Sequence, residues 1–114
     1  MKKVFAVASF LWLAGVSSLF SQSILLPIGS GPYALELNQD ATLALVVNRN
    51  SNSVSIVNLA DNLIKNTITV GAFPTSVAIN STTNQAVVTN FGSENVSVID
   101  IGSATVVATI AVGK

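Results

Sequence analysis

Acid–base chemistry in this chain would have to rest on five carboxylates, Glu36, Asp40, Asp61, Glu94 and Asp100, because the sequence contains no histidine and no cysteine. Those two absences remove the usual metal ligands and general bases, and a Ser–His–Asp arrangement cannot form. Paired carboxylates can still hydrolyse glycosidic bonds, but the spacing argues against a pair. Laid over itself at an offset of 42 residues, the chain matches without a gap, and the five acids fall opposite Ala78, Thr82, Ser103, Asn52 and Asn58. No ring of acids follows. Asp100 and Asn58 share the end of a strand, where a short acceptor side chain commonly bonds the turn backbone. Asp100 alone falls far short of the ~6–8 oxygen ligands that calcium takes. No catalytic residue, metal site or cofactor is therefore expected.

The same overlay separates structure from candidate binding chemistry. Gly29, Gly71 and Gly113 recur at equal intervals, as do Pro32 with Pro74, Asn48 with Asn90, and Val54-Ser55 with Val96-Ser97. Positions kept in both copies read as turn and packing positions. Binding is expected where the copies differ in reactive or aromatic side chains: Tyr33 opposite Thr75, Arg49 opposite Phe91, and Asn52 opposite Glu94. Tyr33, Arg49, Phe73, Phe91 and Glu94 are the resulting candidate set.

These residues must be positioned by β-structure. Val54 and Ile56 alternate with Ser55, and Val96 and Val98 with Ser97, a period of two. Polar clusters separate short segments rich in Val, Ile and Thr. The first unit predicts strands over Tyr33–Leu37, Thr42–Asn48, Ser53–Leu59 and Leu63–Val70. The second predicts them over Thr75–Ile79, Gln85–Asn90, Val96–Ile101 and Thr105–Val112. Four antiparallel strands in one unit of this length make a propeller blade. Helical repeats of similar length need a 3.6 period, which is absent, and no Gly-His or Trp-Asp pair marks a WD-type blade. The fold class is thus all-β: two four-stranded antiparallel β-propeller blades, part of a larger or oligomeric propeller.

The run Gly71-Ala72-Phe73-Pro74, then Val87-Val88-Thr89-Asn90, Val96-Ser97-Val98-Ile99-Asp100 and Ala108-Thr109-Ile110-Ala111-Val112-Gly113 resembles the YVTN-type β-propeller repeats of surface-layer and other exported microbial proteins. Leu45-Val46-Val47-Asn48 and Val54-Ser55-Ile56-Val57-Asn58 are weaker copies, and neither unit keeps the tyrosine that opens the name-giving tetrapeptide. The resemblance implies a surface, adhesion or protein-interaction role without catalysis. Some related propellers are enzymes, so the alternative is the leading part of a lactonase-like or periplasmic redox propeller with its catalytic residues in other blades. It also implies that the loops carrying Arg49, Phe91 and Glu94 and the connections carrying Tyr33 and Phe73 border one rim of the channel.

Residues 1–23 stand outside the repeat. Lys2 and Lys3 precede an apolar run, then small and polar residues around Ser18 and Ser23, the pattern of a secretory signal peptide cleaved after either serine. Read instead as an uncleaved anchor, Val4–Phe20 would only just span a bilayer. The expected location is secreted, periplasmic or cell-surface, with membrane contact only through this segment if it is retained. From Ile24 onward three basic residues face five acidic ones, a net charge of −2, so no basic patch favours nucleic acid. Charged residues are 9% of the chain, against ~25% in ordinary domains, and without disulfides the fold must rest on apolar packing.

Residues 24–29 read as a leading strand, 30–71 as the first blade and 72–114 as the second. Closed propellers have about four to eight blades. Covering an open blade face of about 400 Å² of apolar area contributes about 10 kcal/mol, comparable with the whole stability of a domain. The expected partners are therefore further blades, in the same or another chain, or a protein at the cell surface. Blades elsewhere in a longer protein are favoured over three or four copies closing a ring. The uncharged Thr105–Val112 strand, left as an edge, is an expected aggregation site.

Overall fold

The computed structural model describes residues 4–7, 23–26 and 29–113. Two short strands, β1 (Val4–Val7) and β2 (Ser23–Leu26), pair antiparallel in a sheet of their own. Of the expected leading strand, Pro27 and Ile28 lie outside the described residues, and most of the export segment does too. β2 takes no place in a blade, since four consecutive strands already fill each one.

The first blade is a meander of β3 (Pro32–Leu37), β4 (Leu43–Asn48), β5 (Ser53–Asn58) and β6 (Leu63–Thr69). The second repeats it with β7 (Pro74–Asn80), β8 (Gln85–Asn90), β9 (Asn95–Asp100) and β10 (Thr105–Ala111). Strand limits differ from the sequence expectation by one residue at most at each end. The bulges repeat as well: Tyr33 and Thr75 are the extra residues between first and second strands, Lys65 and Val107 between third and fourth. A bulge kinks its strand and re-aims a side chain, which is how Tyr33 reaches the rim.

Blade one faces blade two with Leu45, Val47, Val54, Ile56 and Ile68, which pack with Val77, Ala86, Val88, Ile99 and Ile101 in one core. A second cluster, Ala44, Val46, Val57 and Leu59 with Leu37 and Ile64, lies on the other face of blade one. Burial therefore differs between the blades. Along β4 both faces are buried, whereas along β8 only Ala86, Val88 and Asn90 are, with Val87 and Thr89 exposed. The exposed residues Val87, Thr89 and Ile110 are the repeat images of Leu45, Val47 and Ile68, which blade one buries. Hydrogen bonds cross between the blades. Gln39 N donates to Ser81 Oγ at 3.1 Å, and Phe73 N donates to Asn52 Oδ1 at 3.0 Å.

No helix among the described residues is long and apolar enough to cross a membrane.

Candidate functional site

The rim is built from the loop after each second strand, laced to the connection that opens its own blade. In blade one, a single 3-10 turn over Arg49–Ser51 follows β4. Arg49 N donates to Gly31 O at 2.8 Å and Asn50 N to Ser30 O at 3.1 Å. Ser51 Oγ accepts Ser30 N at 3.2 Å. Blade two repeats the lacing: Phe91 N to Phe73 O and Gly92 N to Ala72 O, each 2.9 Å, and Ala72 N to Ser93 Oγ at 2.7 Å.

Beneath the rim the repeated polar residues are structural. Asn48 Nδ2 donates to Ser53 Oγ at 3.1 Å and Ser55 Oγ at 3.0 Å. Asn90 Nδ2 donates to Asn95 Oδ1 at 2.8 Å and Ser97 Oγ at 2.9 Å. Both asparagines are buried. They tie the ends of the second and third strands, as an interior polar group must when water is excluded. At the opposite end, Asn58 Oδ1 accepts Ala60 N at 2.8 Å, and Asp100 Oδ2 accepts Ser103 N at 3.1 Å and Ser103 Oγ at 2.6 Å. Asp100 thus holds a turn.

All five candidate binding residues lie on the rim. The Arg49 guanidinium carbon sits 4.9 Å from the Tyr33 ring centre and 5.5 Å from that of Phe73, a cation held by two aromatic faces from different blades. Both rings stay largely in solvent, Tyr33 58% and Phe73 47% exposed. Phe91 is 72% exposed, and with Phe73, Glu94, Thr75, Thr89 and Val96 it lines an open, mostly apolar cleft of about 650 Å³. Phe73 belongs to both groups. Among the described residues no cluster of three or more acids forms a metal-binding group.

The conformation of Phe73 leaves no mark in the sequence repeat. Its φ of 50° is the left-handed region, which a bulky residue rarely adopts, and its repeat image Gly31 has φ 70°. The strain persists because the amide, the ring and the following proline are all held. Asn52, opposite Glu94 in the repeat, reaches across to the next blade, a contact that the sequence period does not reveal. Asn52 and Glu94 are themselves left-handed, with φ of 53° and 56°.

Similarity to known proteins agrees with this architecture. Over 74% of its length the chain resembles Kuenenia stuttgartiensis hydrazine synthase, with 25% identity and a TM-score of 0.71, covering 24% of that chain. It resembles apo AztD from Citrobacter koseri over 88% of its length, with 18% identity and a TM-score of 0.72, covering 29% of that chain. A functionally unknown protein from Desulfotomaculum acetoxidans matches over 82%, with 20% identity and a TM-score of 0.70, and 32% of that chain is covered. The chain therefore spans about a quarter to a third of these structures. None of the curated proteins matches its sequence. The family model for YNCE-like β-propellers matches residues 13–114. With two meander blades packed in register and that match over nearly the whole sequence, the chain belongs to the YNCE-like β-propeller family.

Proposed function

We propose that this is an exported, non-catalytic propeller segment of the YVTN type, a protein-interaction module at the cell surface that works with further blades. The observation that carries this is the rim: three aromatic residues, a cation and an acid, Tyr33, Phe73, Phe91, Arg49 and Glu94, are gathered at one edge, each at a position where the two repeats diverge. Tyr33, Phe73 and Phe91 offer flat apolar area at low entropic cost, and Arg49 is held by stacking, the composition favoured in protein interfaces. The leader-like residues 1–23 support export.

Two measurements test it. Mass spectrometry of the periplasm and medium of an expressing bacterium should find a chain beginning after Ser18 or Ser23, and an intact cytoplasmic chain would overturn export. Labelled protein should be retained on envelope fragments of its source cells, with Arg49→Ala and Phe91→Ala each lowering retention several-fold. Equal retention of both variants would remove the rim from the account.

The similarity to a hydrazine synthase favours one second reading, the leading part of a propeller enzyme whose catalytic groups lie in other blades. Histidines or clustered acids in adjoining sequence would support it.

A further inference from the structure

The cleft on blade two has an occupied counterpart on blade one. Its lining residues Phe73, Thr75, Thr89, Phe91, Glu94 and Val96 are the repeat images of Gly31, Tyr33, Val47, Arg49, Asn52 and Val54. On blade one that place is taken by the residues opening the next unit, Ala72-Phe73-Pro74, while the preceding Gly71 is the repeat image of Gly113, which lines the cleft. Phe73 N bonds Asn52 Oδ1, the Phe73 ring lies against Arg49, and Pro74 is fully buried. Pro32, the image of Pro74, is exposed. The burial of Pro74 thus goes with a blade preceding its own.

The two places differ at the groups that meet the residue before the proline. Blade one presents the Arg49 cation and the neutral Asn52 acceptor, and the occupant answers with an aromatic ring. Blade two presents the Phe91 ring and the Glu94 carboxylate. Complementarity is therefore inverted, with an aromatic face and a negative charge awaiting a cation.

We propose that the blade-two cleft is a seat for an extended x-Lys-Pro or x-Arg-Pro segment opening a further repeat unit. The proline fills the cleft, the amide preceding it donates to Glu94, and the cationic side chain lies over Phe91 beside the same carboxylate. This rests on the interaction-module reading with a further blade as partner, and it identifies what that blade must carry.

The probes are two N-acetylated peptides, AKPTSV and AEPTSV, titrated into the 15N-labelled full chain and followed by NMR. The expected result is that AKPTSV moves the amide resonances of Phe91, Glu94 and Val96 and binds about fivefold more tightly than AEPTSV, the worth of an exposed charge pair with an aromatic contact. Glu94→Gln should remove most of that preference, and Phe91→Ala should weaken AKPTSV further. Equal binding of the two peptides, shifts located elsewhere, or no shifts at millimolar peptide would overturn the proposal. So would concentration-dependent shifts at these resonances without peptide, which would assign the seat to a second copy of the chain. The comparison of peptides on the unaltered chain stands even if a variant misfolds. Loss of the peptide effect with envelope retention intact would sink the seat and leave the rim.

Discussion

Gly71 lies directly against the buried Asn90: a Cβ built on Gly71 would stand 2.8 Å from Asn90 Cγ and 2.9 Å from its Cβ. The first blade has the same pair, with Gly29 at 2.7 Å from Asn48 Cγ. The repeated glycine is thus kept by contact with the repeated asparagine, which itself ties two strands together. Gly71→Ala should destabilise the chain by about 1–3 kcal/mol through overpacking, read as a shift in urea midpoint. Asn90→Ala makes room but abandons the bonds to Asn95 and Ser97. In a double-mutant cycle the pair should cost less than the sum of the single changes, and strict additivity would deny the contact.

Asn52 joins two blades through one acceptor atom, Oδ1, 3.0 Å from Phe73 N. Asn52→Gly keeps the left-handed backbone and deletes the acceptor, at an expected cost of about 1 kcal/mol. Asn52→Asp keeps the acceptor. Hydrogen exchange at the Phe73 amide should accelerate in the glycine variant and stay slow in the aspartate one. Equal rates in both would mean that the bond does not protect this amide.

Arg49 shields the ring of Tyr33, the only tyrosine in the chain. Arg49→Gln should make Tyr33 emission more susceptible to acrylamide and lower stability by about 0.5–1 kcal/mol, the worth of an exposed cation–π contact. Arg49→Lys should fall between, because an ammonium stacks less well than a planar guanidinium. Unchanged quenching in both variants would show the stack absent in solution.

The strand edges were legible in the sequence because valine, isoleucine and threonine alternate with polar residues and the turns carry Asn, Asp and Gly. The gathering of Tyr33, Arg49, Phe73, Phe91 and Glu94 was also legible, since divergence between otherwise matching units marked four of the five, and the resemblance placed their loops on one rim. Two things were hidden. The stack of Tyr33, Arg49 and Phe73 crosses a blade boundary, and a period in sequence does not say which residues of adjacent units touch. The left-handed φ belongs to the turn that opens each unit, since Gly31 shares it, and at Phe73 contacts to the neighbouring blade hold a bulky residue in a conformation it does not prefer locally.

Lys65 and Val107 hold the same bulge position on the outer strand of each blade, and Val107 is 53% exposed. A lysine at an edge discourages pairing with another chain; blade two has no such charge over Thr105–Ala111. Val107→Lys should therefore slow aggregation, followed by light scattering and thioflavin fluorescence, with a stability change within about 0.5 kcal/mol. An unchanged aggregation rate would clear this edge of responsibility.

Gln39 and Ser81, bonded across the blades, occupy the same position in successive units. The contact therefore joins a position to its own copy one period later. A gene encoding such a unit needs no second invention to lengthen its product: duplicating one period in frame supplies both halves of the new contact together. Arrays of this kind can gain or lose blades by recombination alone.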